Sequence, residues 1–289
     1  MTEPVILETV AEVRRALDAH RAAGRSVGFV PTMGYLHAGH QSLMHASVAA
    51  NDVTIASIFV NPLQFAAGED LESYPRDLTR DTELCAEAGV ALIFAPSVEE
   101  MYPRPMATVV EVPPVAAPLE GASRPEHFAG VATVVAKLFS IVGECRAYFG
   151  EKDWQQVAVV TRMAADLSMP VDVVPCPTMR EDDGLAMSSR NVYLTPEERA
   201  EAPVLRRALD AGLAAIAAGE TDPTAVEAAM ADIVATASLG TLDYVAAVQA
   251  DTLVVDGPLH DEVRLLLAVR FGKARLIDND GGMVPTDPA

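Results

Sequence analysis

Four short stretches of the 289-residue chain carry side chains whose types and spacing suit chemistry on an anionic ligand. In PTMGYLHAGHQSL, His37 and His40 lie three apart, which puts both imidazoles on one face at a helix start. A helix N-terminus there points N–H groups and partial positive charge at phosphate, and two imidazoles can donate to charge developing on phosphate oxygens. The same pair could instead be part of a metal site, with His45 available, or ordinary polar residues opening a helix. In LAMSSRN, the hydroxyls of Ser188 and Ser189 followed by Arg190 form either a mobile anion clamp or a solvated polar loop. Residues 150–156 read GEKDWQQ. Lys152 can neutralise a phosphate there. Asp153 can bind a ribose hydroxyl, hold the lysine or cap the next helix, and the amides of Gln155 and Gln156 can read substrate hydroxyls. NPLQF adds the neutral amides Asn61 and Gln64. No Ser or Cys nucleophilic triad is visible.

These residues need elements to position them. Short apolar runs at 26–33, 53–60, 90–95, 146–149 and 171–175 read as buried strands. They alternate with helical patterns at 37–50, 77–88, 128–142 and 154–167, the second of these ended by Gly89. Such alternation implies right-handed βαβ units and a parallel sheet, in which ligands lie at the carboxyl ends of strands. PTMG, NPLQF and GEKD fall at such ends. Residues 97–126 are rich in proline and read as loops, with an edge strand at 108–112. After about residue 180 the texture changes. Thr195-Pro196-Glu197-Glu198 reads as a helix start, with an Ala-rich helix running to about 218, a second helix at 222–237 and strands at 244–249, 264–270 and 274–277. The tail GGMVPTDPA reads as loose. The expected fold is α/β, a Rossmann-like parallel sheet flanked by helices over 1–178, with a smaller C-terminal α+β domain over 179–289.

Composition narrows the ligand. The formal net charge is −20, which argues against long nucleic-acid backbones and anionic membranes. Only three of the 21 basic residues are lysine (Lys137, Lys152 and Lys273), so a lysine inside a polar motif stands out. Cys85, Cys145 and Cys176 show no disulfide or zinc spacing and fit a reducing cytoplasm. The N-terminus lacks the pattern of a signal peptide, and the longest apolar stretch is too short to cross a bilayer.

Together, the His pair after the first strand, the lysine after a later strand and the Ser-Ser-Arg loop at a domain junction resemble the nucleotidyltransferase superfamily that contains the class I aminoacyl-tRNA synthetases. His37-Ala38-Gly39-His40 matches its HIGH-type motif, and Met187-Ser188-Ser189-Arg190-Asn191 resembles its KMSKS-type loop. More narrowly, PTMGYLHAGH, SIFVNPLQF, YPRDLTRD, RPEHFAGVATVVAKLF, GEKDWQQ and REDDGLAMSSRNVYL stand in the order, and near the spacings, of the pantothenate synthetase (pantoate–β-alanine ligase) family. The motifs cover residues 26–200, and the general texture continues to about 278. Two readings compete: a superfamily member with another substrate, and a nucleotide-binding regulator without turnover.

The resemblance implies a two-step reaction using ATP and Mg2+. Pantoate attacks the α-phosphorus to give pantoyl adenylate and pyrophosphate, and β-alanine then displaces AMP. It assigns His37, His40, Lys152, Ser188, Ser189 and Arg190 to catalysis. It adds Pro31, Met33, Gly150, Asp153 and Met187 to the ATP site, with the second domain acting as a lid. Pantoate falls to Met33, Asn61, Gln64 and Gln156, with Tyr74 shaping the region, and Asp81 to the magnesium region. It also suggests a homodimer, assembled through strands or helices of the first domain, in the cytoplasm that the free thiols fit. Some positions depart from the family pattern: Thr79 and Arg80 stand where acidic residues are usual, Glu126 where Gly is common and Tyr35 where a small residue is common, while Trp154 occupies a variable slot.

Overall fold

The structure, a computed structural model, describes residues 3–65, 71, 72 and 74–285. The chain divides into two compact units, Met1–Gly150 with Val159–Pro177, and Glu151–Ala158 with Thr178–Ala289.

The first unit contains β1 (Val5–Leu7), α1 (Val10–Ala22), β2 (Val27–Thr32), α2 (Ala38–Ala50), β3 (Val53–Ile58), α3 (Leu78–Ala88) and β4 (Leu92–Phe94). Three short helices follow, α4 (Val98–Met101), α5 (Pro113–Ala116) and α6 (Glu120–Ser123), then α7 (His127–Val142) and β5 (Cys145–Gly150). Helix α8 (Trp154–Asp166) starts in the segment grouped with the second unit, and β6 (Val171–Cys176) completes the sheet. The six strands are all parallel, in the order β1-β4-β3-β2-β5-β6. Helix α7 is apolar nearly all round, and most of its residues are buried, as such a composition requires. Its Phe139 meets Phe29 and Phe149 edge-on at 6.4 and 6.3 Å.

The ladder explains where a ligand can enter this unit. β2 pairs with β3 as far as Thr32↔Ile58, but its pairing with β5 stops at Phe29↔Ala147. β5 meanwhile runs with β6 to Gly150↔Cys176. The sheet therefore opens between β2 and β5 at their carboxyl ends, where the chain order reverses, the switch point of such folds. Pro31 fits here despite being in a central strand. Ser26 and Thr32 turn their carbonyls to the β3 side, so alternation turns Pro31 to the β5 side, where the ladder has ended and no N–H is needed.

The second unit contains α9 (Pro196–Glu201), α10 (Val204–Ala217), α11 (Pro223–Val234) and an antiparallel sheet β7 (Gly240–Gln249), β8 (Glu262–Phe271), β9 (Ala274–Met283). Leu205, Leu209 and Ile216 of α10, Val226 and Met230 of α11 and Leu265, Leu267 and Phe271 of β8 share its core.

Several sequence expectations are corrected. The segment at 108–112 forms no strand: Val110 N–H donates to Thr133 Oγ1 of α7 at 2.9 Å, and Pro113 opens α5 immediately after. The Ala-rich helix is two helices, α9 and α10, divided at Pro203, which offers no N–H to continue the first. The C-terminal strands are longer than expected, and residues 281–283 belong to β9 rather than to a loose tail; residues 286–289 lie outside the described residues. β1 and α1 were not anticipated, although Thr9 and Glu12 form the reciprocal cap that T-x-x-E encodes.

Candidate active site

The loop after β2 carries the His pair into the opening of the sheet. Gly34 and Tyr35 are both left-handed, with φ of 85° and 51°. For Tyr35 that conformation costs about 1–2 kcal/mol. A buried carboxylate holds it: Asp81, on α3, accepts the N–H of Tyr35 on Oδ2 and that of Leu36 on Oδ1, both at 2.8 Å. A Cβ on Gly34 would stand 2.9 Å from Asp81 Oδ2, so glycine lets the loop close over the carboxylate.

His37 then becomes the N-cap of α2. Its Nδ1 accepts the Gly39 N–H at 3.1 Å, and His40 Nδ1 accepts the His37 N–H at 3.3 Å. The two rings form a reciprocal cap in which His40 takes the place usual for Glu or Gln. Because each Nδ1 acts as an acceptor, each proton sits on Nε2, making both histidines neutral Nε2–H donors. Their ring centroids lie 4.1 Å apart. Among the described residues no group of three or more His, Cys, Asp or Glu could hold a metal, and His45 is exposed.

Asn61, read from sequence as a pantoate contact, is 1% exposed and engaged by the protein itself. Its Oδ1 accepts from Tyr102 Oη at 2.7 Å and Leu63 N at 3.3 Å, while Nδ2 donates to Gly130 O and Gln64 Oε1, both at 3.2 Å. Burial holds the Tyr102 phenol well above its ordinary pKa, so it stays a donor. Asn61 thus orients Gln64, whose Nε2 rests on Met33 Sδ at 3.0 Å. Tyr74 meets Phe65 edge-on, with centroids 6.0 Å apart.

The cationic residues lie in the second unit. Lys152 occupies a 3₁₀ turn, Glu151–Asp153, with Nζ 3.2 Å from Asp153 Oδ1, the lysine-holding role among those open to Asp153. Ser188 caps a second 3₁₀ turn, Ser189–Tyr193, by accepting the Arg190 N–H at 3.3 Å. Met187 leads into it, with its N–H on Met179 O. One pocket is lined by Lys152, Ser188, Arg190, Asn191, Arg275 and Asp278. Among the expected site residues, Pro31, Met33, His37, His40, Asn61, Gln64, Asp81 and Gly150 belong to the first unit, and Lys152, Asp153, Gln156 and 187–190 to the second.

The model of the Pantoate-beta-alanine ligase family matches residues 5–280. The chain belongs to the pantoate–β-alanine ligase family. The pantothenate synthetase of Sinorhizobium medicae (strain WSM419) is 56% identical over 274 residues, 94% of each protein. The crystal structure of pantothenate synthetase from Thermus thermophilus is similar with a TM-score of 0.88 and 52% identity, over 96% of this chain and 98% of that one. The pantoate-beta-alanine ligase from Francisella tularensis, complexed with beta-gamma ATP and beta-alanine, gives a TM-score of 0.77 at 32% identity, over 99% of this chain and 100% of that one.

Within this ligase Asp81, expected in the magnesium region, is engaged by the chain's own backbone. Its carboxylate is 1% exposed and both oxygens are engaged by backbone N–H groups, so it does not fit as a magnesium ligand. Two departures from the family pattern meet here: the Arg80 guanidinium lies 5.4 Å from the centre of the Tyr35 ring. Glu126 stands exposed at the N-terminus of α7, where a carboxylate suits the helix dipole. The sequence reading missed Arg180, Arg264, Arg275, Asp278 and Asn279. For Asp278 and Asn279 the signal was faint, consecutive polar residues at what looked like the end of a strand.

Proposed function

We propose that this chain condenses pantoate with β-alanine through pantoyl adenylate, using the two sets of residues described above. As a pantoate–β-alanine ligase it couples this condensation to ATP. The observation that carries the two-step reading is the pair of Nε2–H donors fixed at the N-terminus of α2. In the first step a pantoate carboxylate oxygen bonds to the α-phosphorus and the bond to the bridging oxygen breaks, releasing pyrophosphate. His37 and His40 donate to the phosphate oxygens as charge builds, while Lys152, Ser188, Ser189 and Arg190 neutralise and hold the triphosphate. Gln64 and Gln156 hold pantoate, with Met33 and the Pro31 backbone lining the site and Gly150 and Asp153 at the ribose. In the second step the β-alanine amine attacks the acyl carbon, AMP leaves with the bridging oxygen, and the amine loses its proton. The β-alanine named in the Francisella tularensis complex supports that substrate.

We assign no residue of the chain to Mg2+; the ion would arrive on the ATP phosphates, which suits a cation that keeps few protein ligands. With the cationic set on one unit and the histidines on the other, we read the second unit as a lid over ATP. Three buried free cysteines support a cytoplasmic location, no helix of the described residues is long and apolar enough to cross a membrane, and the family resemblance supports a homodimer.

The test is isotope exchange from pyrophosphate into ATP. It should require pantoate and not β-alanine, and the full reaction should yield AMP. Formation of ADP and phosphate would sink the adenylate route.

A further inference from the structure

We propose that Asp278 and Asn279, adjacent on β9, are positioning residues that build Lys152 and residues 188–190 into one preformed grip for the triphosphate. The proposal deepens, and rests on, the reading of those side chains as the phosphate-binding set.

Asn279 is 3% exposed, and all of its amide is engaged. Nδ2 donates to Glu151 O at 2.9 Å and to Lys152 O at 2.7 Å, and Oδ1 accepts from Arg264 Nε at 2.8 Å. A 3₁₀ turn as short as Glu151–Asp153 has little structure of its own, and here one planar amide grips two of its three carbonyls. Arg264, itself buried, adds a second bond from Nη2 to Glu151 Oε2 at 3.0 Å. Its guanidinium lies 3.7 Å from the centre of the Trp154 ring, and the Trp154 indole N–H donates to Ala250 O at 2.9 Å. The turn that carries Lys152 is therefore clamped through its carbonyls, through the side chain before Lys152 and through the first residue of α8.

Asp278, 2% exposed, does the matching work for the serine loop. Its carboxylate receives Arg180 in two parallel bonds, at 2.6 and 3.0 Å, and Oδ1 also accepts the Asn279 N–H at 2.8 Å. Arg180 reaches on to Gly184 O, and its backbone pairs with Ala186, directly before Met187. Fixing Arg180 thus fixes the turn that delivers Ser188, Ser189 and Arg190.

Burying two polar side chains side by side in a strand is unfavourable unless their bonds are made. An apolar pair would serve packing alone. What this pair achieves is a common origin for two phosphate-binding segments that lie far apart in sequence. A lysine and an exposed loop ordered in advance lose less freedom when ATP binds, which tightens ATP without touching it.

The test is a double-mutant cycle on pantoate-dependent pyrophosphate exchange. Asn279→Ala should raise the KM for ATP by about tenfold while kcat and the KM for pantoate change by less than about twofold. In a Lys152→Ala background the same substitution should raise it no further, because the effect runs through Lys152. Multiplying effects overturn the proposal alone, whereas an unchanged ATP KM in Lys152→Ala overturns the phosphate reading and the proposal with it. Asp278→Asn is judged against Arg190→Ala in the same way. If Asn279→Ala fails to fold, Asn279→Ser, which keeps a hydroxyl and loses most of the bonds, carries the cycle. A second readout is ATP protection of Lys152 from an amine-acetylating reagent, mapped by mass spectrometry against Lys137 and Lys273. Protection should weaken in the Asn279 variant, and undiminished protection overturns the proposal.

Discussion

Around His37 the first unit holds its functional side chains mainly by backbone: a left-handed Gly34-Tyr35 turn, two N–H groups on a buried carboxylate and a helix capped by its own histidines. Around Lys152 and Ser188 the second unit works through side chains, with Asn279, Asp278, Arg264 and Arg180 in a web of amide and guanidinium bonds. The first arrangement fixes the direction of two neutral donors. The second fixes the place of charge. A donor whose value lies in direction acts most where geometry changes, in the transition state, whereas a held charge already acts on bound ATP. The two regions should therefore fail differently.

The largest effect should come from the histidines. If His40 donates in the transition state as proposed, His40→Ala should slow exchange by about 2–4 kcal/mol, with little change in the KM for ATP. Lys152→Ala should do the reverse, raising the KM for ATP more than it lowers kcat. Steady-state exchange kinetics on both variants check the contrast, and it breaks if His40→Ala acts mainly on ATP affinity.

Next comes the backbone anchor. Asp81→Ala leaves the buried Leu36 N–H without an acceptor, at about 1–3 kcal/mol, removes the partner of the half-buried Tyr35 N–H, and frees a turn that is unfavourable by itself. Melting should fall by roughly 5–10 °C and kcat should fall with it. If Asp81 holds no magnesium, the magnesium dependence of the rate should keep its midpoint; a shifted midpoint would make Asp81 a metal ligand. A smaller and more selective effect is expected from Gly130→Ala. The added Cβ would meet Leu63 O at 2.1 Å and Gln64 Cα at 2.7 Å, so the turn that aims Gln64 must move, at about 1–3 kcal/mol. The KM for pantoate should rise while that for ATP holds, and an equal rise in both would detach Gln64 from pantoate.

The same contrast explains what could be read from sequence. HAGH, GEKD and MSSRN are short, contiguous and rich in unusual residues, so they stand out as candidates, and the alternating strands and helices gave the parallel sheet. The supports were not visible, because their partners are distant. Asp81 binds N–H groups 45 and 46 residues earlier in the chain, and Asn279 binds carbonyls 127 and 128 residues earlier. No local pattern encodes such bonds; a carboxylate beside a motif reads as a metal ligand, and Asp278-Asn279-Asp280 before two glycines reads as a strand ending. Local propensity also misled at 108–112, where TVVEV favours a strand, yet a hydroxyl on α7 takes the Val110 N–H. The division at Pro203 was legible in principle, since proline inside a helical pattern marks a break.

Acid should expose the difference more gently. In the second unit, the Arg199 hydrogen bond leads in holding Asp183 below the ordinary carboxylate range. Burial pushes Asp280 up, but its bonds from Arg206 and the Gly281 N–H, with the nearby guanidinium charges, outweigh that and bring it down. In the first unit, Glu12 and Asp52 are lowered chiefly by backbone N–H groups, of Thr9 and Ser26. All four therefore share one sign. Each stabilises fully above its unfolded value, about 4, and that contribution is lost as pH falls through the lower folded value. The chain's single tryptophan, Trp154, lies in the segment grouped with the second unit and reports on it. Its fluorescence should be flat from pH 8 to 5 and change only below about 4. Salt near 1 M, where screening acts within about 3 Å, should raise the folded values of Asp183 and Asp280 toward the unfolded ones and flatten that acid limb. Exchange of the Thr9 and Ser26 amides, which donate to Glu12 and Asp52, should respond much less to salt, because no ion pair dominates there. A Trp154 limb indifferent to salt would mean that the second unit, like the first, is held by backbone rather than by paired charge.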